Sequence, residues 1–506
     1  MTPRPGTPHV TSRIAQPEPG EHTPAWGRRI GIVGGGMLGL GLALRLRAQG
    51  HQVMVIEGSG AVGGLTRADE IGEFTWDRFY HVILASDSHL RALLDEIGLG
   101  DKMEWRTTRT GFFTDGRLLS MSTALDFALF PPLGPIGKAR LAWTILSAAR
   151  ITDPAPLEQT TAVEWLTRLS GRRTVERIWQ PLLRSKLGAH WSDASAAFIW
   201  AIIARLYAAR RSGLKQEMFG YVTGGYAAIL ERLRATVRDR GIEVRCGRPV
   251  VSVRSGADGA TIELGPDRRG GSAPGSPPAS LHFDAVVMTV PCAQAAALCP
   301  QLPAPEQDRL RRVVYQGVIC PSLLLRRPLA GYYVTNITDS WVPFTGVIEM
   351  TALVDPSVFG GRHLVYLPRY LAQNDATWDR SDEEIVRESV AALERMYPTF
   401  HADDVVASRV ARAREVLAIS TLDYSRSLLP PLRTSLDRVY IVNTAQIAYG
   451  TLNVNETLAL ATRQAEALAP LLAQPRPANG HATAPRRSPS GGLKAWPVAA
   501  PAVSEP

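Results

Sequence analysis

The chain has 506 residues, 45% hydrophobic and 20% charged. That is a globular composition, long enough for two or more domains. The net charge of +9 is carried almost entirely by arginine, the lysines being Lys102, Lys138, Lys186, Lys215 and Lys494. No dense basic block, helix-turn-helix or zinc-finger spacing accompanies this charge, which argues against nucleic acid as a partner. An acidic substrate, an anionic membrane surface or plain compositional bias explains it instead.

Cys246, Cys292, Cys299 and Cys320 stand apart in sequence and lie at no metal-ligand spacing. A disulfide framework is not expected in so large a chain, and a reducing, cytoplasmic compartment is. The N-terminal stretch lacks the apolar run of a secretory signal, and the longest apolar runs are too short to cross a bilayer.

In chain order, residues 1–27 are rich in Pro, Thr and Gly and are expected to be disordered, as is the tail 473–506. Residues 28–58 read as strand, turn, helix, strand. Residues of about 85–215 read as mainly helical. Residues 224–255 read as helix then strand, and 281–290 as a further strand, with the Gly/Pro/Ser-rich 265–280 as a long hairpin loop. Several strands are expected over about 315–370, a helix over 381–396, a strand near 404–417, a buried strand at "RVYIVNTA" and a closing helix after it.

The first of these elements carries the chemistry. "RRIGIVGGG" runs an apolar strand into Gly34-x-Gly36-x-x-Gly39, with Ala43 behind it. Gly34 permits a tight turn, Gly36 lets the backbone approach a pyrophosphate, and Gly39 and Ala43 let the helix pack close to the strands. The amides of Met37 and Leu38 then open a helix whose positive end suits phosphate. A second strand, "HQVMVIE", ends at Glu57, a carboxylate placed to accept hydrogen bonds from ribose hydroxyls and to disfavour a 2′-phosphate. Past it come Gly63-Gly64 and Arg67. A second glycine pair lets a loop fold back over the pyrophosphate, with an arginine near its charge, an arrangement that suits FAD.

Glu57-x5-Gly63-Gly64-x-x-Arg67 resembles the flavoprotein superfamily of amine oxidases, protoporphyrinogen oxidases and carotenoid desaturases. "YVTGGYAAILERLRATVRDRGIEVRCGRPVVSV", "FDAVVMTVP", "WQPLLRSKLGAHWSDAS" and "DRVYIVNTAQIAYGTLNVNETLALATRQAEAL" resemble further segments of that superfamily in order and spacing, so the likeness covers about 28–472. It implies an α/β fold: a Rossmann-like FAD-binding domain built from 28–80, 216–295 and 416–472, and a discontinuous α+β substrate domain built from 81–215 and 296–415. It also implies cofactor contacts from Gly34, Gly36, Met37, Leu38, Gly39, Glu57, Gly63, Gly64 and Arg67, from the Val250 backbone, from Asn443, and from Val454 at the start of the closing helix. Two departures stand out. Asn443-Thr444 occupies the place of the usual Gly-Asp, and the lysine that amine oxidases hold near flavin N5 has no clear counterpart, Lys186 and Lys215 reading as surface or rim residues.

The resemblance brings "FTWDRFYHVIL" beneath the flavin ring. There His81 is either a proton donor and acceptor or a hydrogen-bonded core histidine, and Asp77 orients nearby backbone. Tyr332, Tyr333, Trp341, Glu349, Tyr366, Arg369 and Tyr370 are candidates to line a substrate pocket; Glu349 stands out as a carboxylate inside the apolar strand "FTGVIEM". "FALFPPLGPIG" and "AAFIWAIIARLYAA" hold more apolar surface than one buried helix face needs, and are expected in part to face a cavity or a membrane. Arg205 and Arg210–Arg211 would then meet a headgroup or phosphate. The reading is an FAD-dependent oxidoreductase that removes hydride from a C–H or C–N bond of a largely apolar or lipid-linked small molecule, with peripheral membrane contact. The alternatives are a flavin-dependent mutase without net redox, resembling the UDP-galactopyranose mutases, and a binding protein that keeps FAD as a structural element.

Overall fold

The computed structural model describes residues 27–210, 218–267 and 279–474. Most of both expected tails, the middle of the 265–280 segment, Arg211 and Lys215 lie outside these residues.

Five parallel strands form a central sheet in the order Glu243–Cys246, Gln52–Glu57, Arg29–Val33, Ala285–Met288, Val439–Ile441. The strands are apolar on both sides because both faces are covered. Ile30, Ile32, Val53 and Val55 point into one core, with the helix Met37–Ala48 and the closing helix Val454–Ala473. Val33, Met54 and Ile56 point into another, shared with Val253, Ile262 and Phe283 of the antiparallel sheet Val250–Gly256, Gly259–Leu264, Ala279–Phe283. The single strand expected over 281–290 is therefore two. The chain breaks at Asp284, whose carboxylate accepts from the Arg29 amide at 2.8 Å, and each half joins a different sheet.

A second, mixed sheet runs Arg369–Leu371, Tyr315–Leu325, His363–Tyr366, Gly346–Glu349, Val334–Ile337, Thr110–Thr114, Arg117–Ser120, with Val405–Ala418 along the other edge of Tyr315–Leu325. Two of its strands, with Met103–Thr107 of a small neighbouring sheet, correct the expectation of a helical 85–215. Asp115 and Gly116, both at positive φ (51° and 70°), close a tight hairpin between Thr110–Thr114 and Arg117–Ser120.

Besides short turns, the helices of the block are Ser88–Glu96, Ala124–Leu129, Pro135–Arg150, Ala162–Ser170, Gln180–Leu187 and Ala196–Arg210. The two apolar stretches singled out in sequence behave differently. Residues 196–201 are buried throughout, and Trp200 Nε1 donates to the Ala148 carbonyl at 2.9 Å, so that helix start is core. A helix apolar on all sides is covered on all sides. Leu125, Leu129, Ile136, Trp143 and Leu146, by contrast, stand exposed. No described helix is long and apolar enough to cross a membrane.

Candidate active site

The Gly-rich turn, the end of the second strand and the second glycine pair converge at the carboxyl ends of the parallel strands. Gly63 N donates to the Gly35 carbonyl at 2.8 Å, and Gly36 and Gly63 form a parallel bridge. The loop thus folds back on the turn as its glycines foretell. A Cβ on Gly39 would lie 2.0 Å from the Gly34 carbonyl oxygen, so this glycine is required for packing. Gly36 is different. Its backbone (φ −73°, ψ 179°) suits any residue, and a Cβ there would meet no protein atom within 4 Å. The open space it faces is bounded by the first-turn amides of Met37, Leu38 and Gly39, which have no partner inside their helix. The Met37 and Leu38 side chains are buried in the core, so only their backbone is left to face a cofactor. This cradle fits a dinucleotide pyrophosphate.

Glu57 sits beside the turn, one carboxylate oxygen accepting from Gly35 N at 2.7 Å and the other from Ser59 N at 2.8 Å, which leaves lone pairs on both for ribose hydroxyls. Cys246 pairs with Glu57 in the parallel sheet, and Val250 opens the strand just beyond. The Arg67 side chain packs over Gly63, and its guanidinium has no hydrogen-bond or ion-pair partner among the described residues. Asn453 caps the closing helix through Glu456 N at 3.0 Å, presenting the amide end that begins at Val454. Asn443 departs from expectation. Its carbonyl oxygen accepts from Ala445 N at 3.2 Å and its amide donates to the Val290 carbonyl at 3.2 Å. The side chain is engaged in holding its own turn, which leaves only backbone for a cofactor.

Beyond Arg67, the hairpin Ala68–Ile71/Phe74–Asp77 leads to the residues expected under the flavin. Arg409 fastens this hairpin by donating to the carbonyls of Asp69 (2.6 Å), Trp76 (3.1 Å) and Asp77. Asp77 is buried, accepts from Tyr226 N at 2.7 Å, and is pushed up to about 7 by burial. His81 Nδ1 lies 4.0 Å from the Asp77 carboxylate and makes no hydrogen bond; burial pulls the imidazole down to about 4. The ring packs on Tyr226, with centroids 4.7 Å apart.

Next to this pair lies an aromatic cluster. The hydroxyls of Tyr80 and Tyr370 are 2.9 Å apart, Tyr366 donates to the Asp77 carbonyl at 2.6 Å, and Tyr333 packs on Phe219 at 5.2 Å. Tyr333, Tyr366 and Tyr370 therefore belong to one hydrophobic cluster. Other candidates face elsewhere. Arg109 stacks on Tyr332 at 4.7 Å, Arg395 on Trp341 at 3.8 Å, and Arg369 pairs with Glu388 at 3.7 Å. Glu349 is corrected from catalytic candidate to structural clamp. Its buried carboxylate accepts from the amides of Leu329, Ala330, Gly331 and Tyr332 at 3.0–3.3 Å. Arg205 is also engaged, with Asp87 at 3.2 Å and Thr451 at 3.1 Å.

Sequence reading missed two members. Tyr80 adjoins His81 and was visible in "DRFYH". Lys186, expected at the surface or rim, is partly buried, with Nζ 5.7 Å from the centroid of the Tyr370 ring; burial, then the Arg205 charge, lowers its pKa.

The profile of the flavin-containing amine oxidoreductase family matches residues 39–468. A chloroplastic/mitochondrial protoporphyrinogen oxidase 2 of Arabidopsis thaliana is 33% identical over 79 residues, a stretch that is 16% of this chain and 16% of that protein. Two solved structures share the fold across 88% of the chain. Putrescine oxidase bound to putrescine has a TM-score of 0.66 at 20% identity over 99% of its length. Reduced UDP-galactopyranose mutase has a TM-score of 0.66 at 16% identity over 96% of its length. The chain therefore belongs to the flavin-containing amine oxidoreductase family, and its cofactor is FAD.

Proposed function

We propose that this protein removes hydride from a C–H or C–N bond of a largely apolar small molecule, and that it meets this substrate at a membrane surface. When bound, FAD supplies the hydride acceptor. The chain's own residues hold the pyrophosphate at the Gly34–Gly39 turn, grip the ribose through Glu57, and pack Tyr80, Tyr333, Tyr366 and Tyr370 around the reacting region. Residues 28–80, 216–295 and 416–472 form the FAD-binding unit in this reading, supported by the origin of all five parallel strands in those segments. Residues 81–215 and 296–415 form the substrate unit.

One observation carries the choice of substrate. Of nine large apolar side chains standing exposed among the described residues, five fall between 125 and 146. Ile136, Trp143 and Leu146 follow one helical stripe, and Leu125 and Leu129 occupy the helix before it. Lys138 joins the two helices by donating to the Ala128 carbonyl at 2.6 Å, and Arg140 and Arg150 flank the stripe, exposed. Contiguous apolar surface edged with cations suits an anionic bilayer.

The test is sedimentation of the holoprotein with anionic liposomes, together with anaerobic reduction of its flavin by isoprenoid, tetrapyrrole, amine and sugar-nucleotide compounds. Liposome binding and reduction by apolar compounds are expected. Reduction by a small hydrophilic amine alone, without liposome binding, overturns the reading. An equal-mass isomer formed only from prereduced protein assigns a mutase instead.

A further inference from the structure

We infer that Lys186 is a specificity-determining residue that binds a carboxylate group of the substrate. The inference rests on reading the aromatic cluster as the substrate end of the flavin site.

Tyrosine faces attract cations. In a site built for an amine, such a face would be left open for the substrate's ammonium group. Here the Tyr370 face is taken by the protein's own cation, with Lys186 Nζ 5.7 Å from the ring centroid. The ring is fixed at its edge, the Tyr370 hydroxyl meeting that of Tyr80 at 2.9 Å.

Lys186 has no carboxylate partner among the described residues, and neighbouring carboxylates are engaged elsewhere. Asp87 is held by Arg205 and by the Leu84 amide at 2.9 Å. Glu388, near the strand of Tyr370, pairs with Arg380 at 2.6 Å and with Arg369. Glu349 is closed off by its four amides. The nearby Arg205 adds positive charge. A partly buried ammonium without a counterion is costly, and a substrate carboxylate reduces that cost.

The position fits the cofactor cradle as well. Arg205, close enough to act on Lys186, bonds to Thr451 just ahead of the helix that begins at Val454. Tyr80 follows the hairpin that starts after Arg67. Linked to Thr451 through Arg205 and to Tyr80 through Tyr370, Lys186 can in this reading hold the acidic end of a molecule whose apolar part lies against the tyrosines.

The experiment titrates the holoprotein with dodecanoate, methyl dodecanoate, dodecyl phosphate and dodecylamine, read as the difference spectrum of the bound flavin. Dodecanoate is expected to give a saturable change, the methyl ester and the amine a much weaker one, and dodecyl phosphate separates carboxylate from general anion binding. Lys186→Met should weaken dodecanoate by about ten- to a hundred-fold, with flavin content unchanged and the weak ester titration unaltered; Lys186→Arg should restore part of the loss. Equal dodecanoate binding by wild type and Lys186→Met, tightest binding of dodecylamine, or tightest binding of the phosphate overturns the inference. If Lys186→Met does not fold, the wild-type ranking of acid, ester and amine decides. Failure of liposome binding with the acid preference intact refutes the membrane reading and leaves Lys186 in place.

Discussion

At the scale of single residues, the two glycines of the first turn separate cofactor binding from folding. Gly36→Ala places a methyl group in the open space proposed to take the pyrophosphate, with a backbone that accepts it. The purified variant should lose flavin at least ten-fold while its apoprotein unfolds at the wild-type temperature. Gly39→Ala drives a Cβ into the Gly34 carbonyl oxygen and should lower the unfolding temperature of the apoprotein itself. Equal flavin retention by Gly36→Ala and wild type would show that the open space is not the cradle. Asp77 and His81 make a second residue-level test, because burial moves them in opposite directions. Asp77 rises from 3.8 to about 7, so its stabilising contribution is complete below 3.8 and is lost as pH rises toward 7. His81 falls from 6.5 to about 4, so its contribution is complete above 6.5 and is lost as pH falls toward 4. The slopes oppose each other between about 4 and 6.5. Asp77→Asn should leave the histidine slope, with unfolding temperature rising across that window. His81→Gln should leave the aspartate slope, with unfolding temperature falling across it. Parallel profiles for both variants would contradict the opposed shifts.

At the scale of elements, Glu349 shows how a polar residue in an apolar strand is explained by what it fastens. Glu349→Gln replaces one acceptor oxygen with a donor that faces backbone N–H groups of the 329–332 segment. Two lost hydrogen bonds should cost roughly 2–4 kcal/mol of stability, measured by denaturant unfolding, while the flavin spectrum stays unchanged. A variant of wild-type stability that no longer turns over would restore Glu349 to the chemistry. The same residue marks how far the sequence could be read. Periodicity and turn chemistry located the strand–turn–helix of 28–58, the helix Asp382–Met396 behind its Ser381 cap, and the closing helix, because those signals are local. The hairpin at Asp115-Gly116 was equally local, but it was lost within a long apolar block. The four amides that meet Glu349, and the Tyr370 face that meets Lys186, come from other elements. Sequence spacing identified an unusual carboxylate but passed over Lys186, because the partners of both depend on how separate elements are laid together. The convergence of the glycine turn, Glu57 and the second glycine pair was legible for the converse reason: Gly34 to Gly64 lie within and just beyond one strand–helix–strand unit.

At the scale of the whole molecule, the distribution of apolar surface decides what the helical block does. The start of Ala196–Arg210 disappears into the core, whereas Pro135–Arg150 buries Leu141, Thr144 and Ala148 and turns Ile136, Trp143 and Leu146 outward. This helix therefore has one face for the protein and one that the described residues leave uncovered. Asp126, on the preceding helix, is engaged in capping that helix, accepting from Ser120 Oγ at 2.7 Å and from Thr123 N at 3.0 Å. The outward face thus carries the apolar side chains and the charges of Arg140 and Arg150. Apolar insertion and electrostatic attraction should then be separable. Raising the ionic strength weakens the arginine contribution through screening, and Trp143→Ser removes indole burial without touching the core. Trp143 is 57% exposed, so Trp143→Ser should keep its flavin and its unfolding temperature. Its affinity for anionic liposomes should fall by about ten-fold, the scale set by burying a large apolar side chain. Ile136→Ser together with Trp143→Ser should abolish sedimentation at moderate salt while flavin reduction by a detergent-solubilised apolar compound persists. Liposome binding that survives both substitutions would move the membrane contact to another face of the protein, and binding that ignores salt would remove the arginines from it.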